Sequence, residues 1–423
     1  MVDHLPGATK ETVLVPRELS GVSNTSSTRI VSGFSANFRG PDDGQAWVST
    51  FAFARMVPAK ISAPTQHMNA LEPAGLVAHF LAHPPEGFVP FVSREGAPGF
   101  FAPFDLFTTA DAETLRLANS LPGSRWLRRL LTWRTCFFGT TSSEYAPMPR
   151  GIAPVALTKA MLESWAERSA LLIVKDLPEH SPLLPEAERE YSAAFVAACE
   201  DAGFVMLEGQ ALAYVNIDFS SQDEYLSRLS SGRRKDIRRK LRARDRLQVE
   251  ILPTGDERFQ DPRFLDALYA LYEEVYAQSK IRFDKLTREF LRAILQDGSL
   301  PGHLFLYYSQ DALIGFNLCF THGGMLIDKY VGFSYPASRE HNLYFVSWME
   351  NLEFARAHGL SHYVAGWTDP EIKAYLGALF TFTRHAVYVR NPLLRVCLKK
   401  ISRRFEHDRA WFDAHTHASP ARS

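Results

Sequence analysis

"HLFLYYSQDALIGFNLCFTHGGMLIDKYVGF", residues 303–333, alternates large apolar residues with period two and breaks twice, at Gln310–Asp311 and at Thr321–Gly324. Alternation means one face in and one face out, and both breaks are rich in turn-forming residues. The stretch therefore reads as a three-strand antiparallel meander. Upstream, "PRFLDALYALYEEVYAQSK" (262–280) and "LTREFLRAILQ" (286–296) have helical spacing, and "LQVEIL" (247–252) reads as a strand. Downstream, residues 343–359 form a helix that stops at Gly359. "SHYVAG" (361–366) reads as a strand, "DPEIKAYLG" (369–377) as a short helix with Pro370 near its start, and "TFTRHAVYV" (381–389) as a last strand.

Further upstream, "AYVNIDF" (213–219) reads as a strand. The helix after it starts at "SSQDEYLSRL", with Ser221 and Glu224 at capping-box spacing. Four-residue spacing predicts one long face through Tyr225, Leu229, Arg233, Ile237 and Leu241. From Leu212 the order is β, α, β, α, α, β, β, β, α, β, α, β, a mixed α/β (α+β) pattern. Residues 29–209 also alternate strands and helices, with a hairpin at "GFVPFV" and "GFFAPF" and a buried strand in "ERSALLIVKDLP".

Lys plus Arg and Asp plus Glu balance at 47 each in 423 residues, so any anion binding is local and a broad nucleic-acid footprint is absent. A hydrophobic fraction of 46% is enough for a sizeable core in two domains. Cys136, Cys199, Cys319 and Cys397 lie far apart, which fits neither a common zinc motif nor a disulfide framework. Residues 1–27 read as a mobile leader without a signal-like apolar run, and the chain reads as soluble and cytoplasmic.

The quoted meander, "SGRRKDIRRKLRA" (231–243), "YVGFSYPASREHNLYF" (330–345) and "YVAGWTDPEIKAYLGALFTFTRHAVYV" (363–389) together resemble the FemAB-like, peptidoglycan biosynthesis-recognition branch of the N-acyltransferase (GNAT) superfamily. The resemblance implies a GNAT-like fold, with two tandem GNAT-like domains at 28–210 and 211–395 and a basic amphipathic tail at 396–423. It implies a transferase that moves an acyl or aminoacyl group onto an amine. The donor is a co-substrate rather than a bound cofactor: acyl-CoA, aminoacyl-tRNA or a carrier-protein thioester. The acceptor is an amine-bearing small molecule or cell-wall precursor. No metal and no DNA partner are expected.

Residue by residue, the resemblance implies that Lys373 stabilises the oxyanion and that Asp328 and Tyr330 lie beside the acyl group. Asp328 would be the base, and Tyr375 would protonate the leaving group. Each has a plainer reading: a surface Lys paired with Glu371 or Asp369, an Asp bonded across strands, a core Tyr. Alternation sets Asp328 and Tyr330 on one side of their strand and Lys329 on the other. Nine Lys or Arg lie between Arg233 and Arg246. Arg233, Arg234 and Arg238 suit a substrate phosphate, because guanidinium forks pair with phosphate oxygens. A solvated or internally paired helix, or an RNA contact, fits the same run. Arg339 could hold one phosphate, and His385 is a substrate-side candidate or a satisfied core His.

One departure stands out. Acyl-CoA enzymes of the superfamily wrap pyrophosphate in a Gly-rich loop after the meander. Here that place reads "SYPASREHNLY" (334–344), without Gly. This puts acetyl-CoA in doubt as donor and leaves open a non-catalytic module that binds a phosphorylated or cell-wall precursor ligand. The tail, with Lys399, Lys400, Arg403 and Arg404 beside Phe405, Trp411 and Phe412, suits peripheral contact with an anionic membrane or RNA, and equally a helix that packs back on the domain.

Overall fold

Alternating stretches become strands and 3.6-period stretches become helices, in the order the pattern predicts from Leu212 onward. The computed structural model describes residues 67–105, 132–279 and 282–401. The elements begin with β1 (His67–Met68), α1 (Ala74–Ala82), β2 (Val89–Val92), β3 (Pro98–Asp105), β4 (Thr132–Phe138) and β5 (Met148–Pro149). Next come α2 (Pro154–Trp165), β6 (Leu171–Glu179), α3 (Glu186–Asp201), β7 (Val205–Asn216), α4 (Gln222–Ser227) and α5 (Ser231–Leu241). Then follow β8 (Gln248–Pro253), α6 (Pro262–Gln278), α7 (Arg288–Gln296), β9 (Gly302–Ser309), β10 (Ala312–His322) and β11 (Met325–Phe333). The chain continues with α8 (Ala337–Glu340), α9 (Leu343–Ala357), β12 (His362–Gly366), α10 (Pro370–Leu376), β13 (Leu379–Val389) and α11 (Pro392–Ile401). The leader and the tail beyond Ile401 lie outside the described residues.

Apart from the β1–β5 ribbon, the strands form one eleven-stranded sheet in the order β2-β3-β4-β6-β13-β7-β12-β11-β10-β9-β8. Two neighbour pairs are parallel, β4 with β6 and β11 with β12. A parallel pair needs a crossover, and α2 and α9 lie in the respective connections. Each half of the sheet thus shows a meander (β2-β3-β4 and β9-β10-β11), a helix-bearing crossover, and a parallel strand. Two further strands lie at the middle: β13, the last described strand, pairs with β6 and β7, and β7 pairs with β13 and β12. The sheet is continuous at residue 210, which lies inside β7.

Apolar residues from both sheet faces build the core. Under α1, α6 and α7, one face buries Phe80, Leu268, Phe290, Ile294, Phe316 and Leu318. The other face buries Phe305, Tyr307, Leu326, Trp348 and Tyr363 against α9. Helix starts follow the sequence signals: Thr287 accepts the Phe290 N–H at 3.2 Å, and Asp261 accepts the Arg263 N–H at 2.9 Å ahead of Pro262.

The predicted long basic helix is two helices. α4 ends at Ser227 and α5 starts at Ser231. The Glu224 N–H donates to Ser221 Oγ at 3.2 Å, and the Glu224 carboxylate accepts the Ser220 N–H at 2.8 Å, so the capping signal is real. The break follows from what Arg234 does, since its guanidinium donates to the carbonyls of Ser227 and Leu229 at 3.2 and 3.4 Å. Those carbonyls would otherwise lack partners at a helix C-terminus.

Candidate functional site

β11 and β12 pair from Met325/His362 to Ile327/Val364 and then part. Two local features open this fork. On β11 the register with β10 runs Cys319↔Asp328 and then Leu318↔Tyr330, so Lys329 is one extra residue, a β-bulge that bends the strand. On β12, Gly366 turns away with φ +78, a left-handed conformation that favours glycine. A Cβ at Gly366 would lie 3.8 Å from the Asp328 carbonyl oxygen and 3.9 Å from Lys373 Nζ, so the Lys373 ammonium stands in the fork.

Lys373 reaches it from α10, whose ends are set by left-handed residues, Asp369 (φ 54) and Gly377 (φ 104). The residue is 4% exposed, and its Nζ donates to the Ala365 carbonyl at 2.7 Å. Burial pulls its pKa down to about 8, against the opposing charges of Asp328, Glu144 and Asp369. Asp328 accepts three hydrogen bonds, from Asn317 Nδ2 at 2.6 Å, Tyr363 OH at 2.8 Å and Asn351 Nδ2 at 3.3 Å. Burial pushes its carboxyl up to about 6, against the bonds from Tyr363 and Asn317 and the charge of Lys373. The fork therefore joins an acid and a lysine whose pKa values have moved toward each other.

Tyr330 does not share Asp328's side. The bulge at Lys329 breaks the alternation and turns Tyr330 into the core under α6 and α7, where it meets Phe290 edge-on at 5.7 Å. Burial raises its pKa, and its hydroxyl has no hydrogen-bond partner. Lys329 does point away from Asp328, and it lies between two carboxylates that sequence reading missed. Its Nζ contacts Glu72 Oε1 at 3.2 Å and also Glu144 Oε1, all three side chains being almost fully buried. The Glu144 N–H donates to Glu72 Oε1 at 2.7 Å. Burial pulls against the Lys329 charge, yet Glu144 and Glu72 hold its pKa above the ordinary lysine value. Burial raises the Glu72 carboxyl, with Lys329 opposing. Glu72 and Glu144 sit in loops, "ALEPAG" and "TTSSEYAP", and local pattern says nothing of where loops converge.

A second parting of strands lies in the other half. β4 and β6 pair up to Phe138/Val174 and separate at Gly139, whose φ is +110. There Lys175 donates to the Thr140 carbonyl at 2.9 Å and pairs with Asp176. His385, from β13, accepts the Asp176 N–H on Nδ1 at 3.0 Å, which leaves the ring proton on Nε2 when the imidazole is neutral. Burial lowers the His385 pKa against the charge of Asp176.

The remaining candidates lie apart from the fork. Arg233 donates to the Ala374 carbonyl at 3.2 Å, which ties α5 to the end of α10. Arg238 pairs with Asp223 at 2.8 Å on the surface. Tyr375 donates to Asp236 at 2.8 Å, so its hydroxyl belongs to the basic helix. Asp236 also pairs with Arg239 and Lys240, whose bonds, with that of Tyr375, hold its carboxyl far below the usual range. Arg339 donates to Gln278 Oε1 at 2.6 Å and lies over the Tyr335 ring. Around it, the N–H groups of Ser338, Arg339, Glu340, His341 and Asn342 all bond to carbonyls within residues 334–339. The Tyr335 N–H donates to Glu274 Oε2 at 2.8 Å.

Among the described residues no cluster of three or more His, Cys, Asp or Glu could hold a metal ion. No described helix is long and apolar enough to cross a membrane. No curated protein matches the chain. Among solved structures it is similar to L-PGS from Bacillus licheniformis, at 11% identity and a TM-score of 0.46 over 80% of this chain and 98% of that one. It is also similar to FemX, at 13% identity and a TM-score of 0.45 over 77% and 98%. A family model described as peptidoglycan biosynthesis/recognition matches residues 189–421, more than half of the chain, including the fork, Lys373 and β13. With that match over more than half of its length, the chain belongs to the FemAB-like family.

Proposed function

We propose that the protein is an N-acyltransferase that moves an acyl or aminoacyl group onto an amine at the fork between β11 and β12. The observation that carries this reading is the buried Lys373 ammonium, held in the fork by the Ala365 carbonyl with Asp328 close enough to shift its pKa. The amine nitrogen attacks the acyl carbonyl carbon, a C–N bond forms, and the carbonyl oxygen becomes an oxyanion facing Lys373. A cation preorganised in a water-poor site stabilises such charge by several kcal/mol (about 3 to 4 for one donor). Asp328 takes the proton that the amine loses. A carboxylate offers about four acceptor positions, and three are filled here, so one is left. Collapse of the intermediate breaks the bond to the leaving oxygen or sulfur, which departs with the proton that Asp328 took from the amine.

Between about pH 6 and about pH 8 both groups carry the charges this step needs, a carboxylate and an ammonium. The donor we favour is an aminoacyl-tRNA or carrier-bound acyl group rather than acyl-CoA. The amides of residues 338–342 are bonded to their own segment and Glu274 holds the Tyr335 amide, an arrangement that would repel a pyrophosphate. We further read the two meander-and-crossover halves as tandem GNAT-like units with exchanged central strands. Turnover with each donor class, for wild type and for Lys373→Ala and Asp328→Asn, tests the proposal. Unchanged turnover in both variants would remove Lys373 and Asp328 from the chemistry, and no turnover of wild type with any donor would leave only the non-catalytic binding module.

A further inference from the structure

Three buried polar atoms have no hydrogen-bond partner: Glu72 Oε2 and Glu144 Oε2, on the two carboxylates that hold Lys329, and the hydroxyl of Tyr330, the next residue on β11. All are buried; Glu72 and Glu144 are each 2% exposed and Tyr330 is 9% exposed. The other oxygen of each carboxylate is engaged by Lys329, so each glutamate has one oxygen used and one spare. Tyr330 belongs to the same group, since Lys329, Asp284, Glu72 and Glu144 all act on its hydroxyl. A spare buried carboxylate oxygen is costly, because charge that has left water needs a donor. Lys329 supplies one positive charge to two carboxylates; burial pushes the Glu72 carboxyl up, and a second cation would hold it ionised beside Glu144.

The missing partner can be specified from its chemistry. It must carry one positive charge and be rich in hydrogen-bond donors, and three acceptors await it. A primary ammonium has three N–H donors and no acceptor. The position fits the reaction as well. Lys329 and Tyr330 follow Asp328 on β11, just past Ile327, the last β11 residue paired with β12, and Glu144 acts on both Asp328 and Lys373. We infer that Glu72, Glu144 and Tyr330 form an ammonium subsite at the fork, which restricts substrates to those that bring a primary amine in its protonated form. The first half of the chain then contributes two binding residues to a centre built in the second half. This rests on the reading of the fork as the transfer site. The ammonium has two potential sources, the acceptor amine, which gives up one proton before it attacks, or the α-amino group of an aminoacyl donor.

Calorimetry on the full chain at pH 7 separates them with four probes and no donor present: n-butylamine and n-butanol for the acceptor, alaninamide and N-acetylalaninamide for the donor. One ammonium probe is expected to bind at least tenfold more tightly than its neutral counterpart, and which one does so identifies the source. Glu144→Gln is expected to remove that preference. Should this variant fail to fold, Tyr330→Phe, which keeps the ion triad intact, is expected to weaken the ammonium probe at least threefold. Equal binding of charged and neutral probes, no binding by either amine, or a preference that survives the substitutions would overturn the subsite. Ammonium binding without turnover would sink the transferase reading and keep the subsite. Turnover without ammonium preference would do the reverse.

Discussion

Lys373 and Asp328 hold opposite charges in the fork, and each is displaced toward neutral pH by burial. Lys373→Ala is expected to lower kcat by about 10²–10³-fold, the usual cost of one lost oxyanion donor, measured as amide formation under saturating substrate. The pH dependence has a definite sign. Asp328 must be deprotonated, so activity rises through about pH 6. Lys373 must be protonated, so activity falls through about pH 8. A bell with those limbs is expected in kcat/KM, and Asp328→Asn should erase the acidic limb together with most of the rate. A profile flat from pH 5 to 9 would exclude both roles. At this scale the sequence was partly legible. Lys373 and Asp328 stand in matching segments of a family pattern. Glu72 and Glu144 had no such signal, because only tertiary convergence of two loops onto Lys329 gives them a role.

Among the elements, the bulged strand β11 does most to shape the site. Alternation placed Asp328 and Tyr330 together, and one extra residue at Lys329 separated them onto opposite faces. A period-two pattern cannot show a bulge, since the inserted residue looks like any other strand residue. Lys329→Met would keep the strand's bulk and leave Glu72 and Glu144 buried without their cation. A loss of about 3–5 kcal/mol, the cost of breaking a buried ion pair from one side, is expected in urea unfolding. Gly366→Ala meets ordinary contact distances, so only its backbone suffers. A left-handed non-glycine residue costs about 1–2 kcal/mol, and that loss should appear without a change in fold. The basic run teaches the same lesson about helices. Four-residue spacing predicted one helix, while Arg234 capping the end of α4 divides it. Arg233, Arg234, Arg238, Arg239 and Arg244 are taken up by carbonyls and carboxylates of the chain itself.

On the scale of the molecule, β7 and β13 lie interleaved at the middle of the sheet and make its two halves depend on each other. The element order was readable from Leu212 onward because each strand and helix carries its own period. The interleaving was not, because strand neighbours in space leave no mark on local pattern. A sheet joined through interleaved central strands should open as a unit. Hydrogen exchange is expected to give β6, β7, β12 and β13 the same high protection and one shared opening free energy. Separate opening of β6 with the first half would contradict that coupling.

The central claim is acyl transfer at the fork. The most direct test follows radiolabel from aminoacyl-tRNA, a carrier-protein thioester and acyl-CoA into an amide, with wild type and Lys373→Ala run side by side. Wild type is expected to form labelled amide from tRNA or the carrier, and Lys373→Ala to slow it at least a hundredfold. No amide from any donor, or equal rates in the two proteins, would contradict that claim.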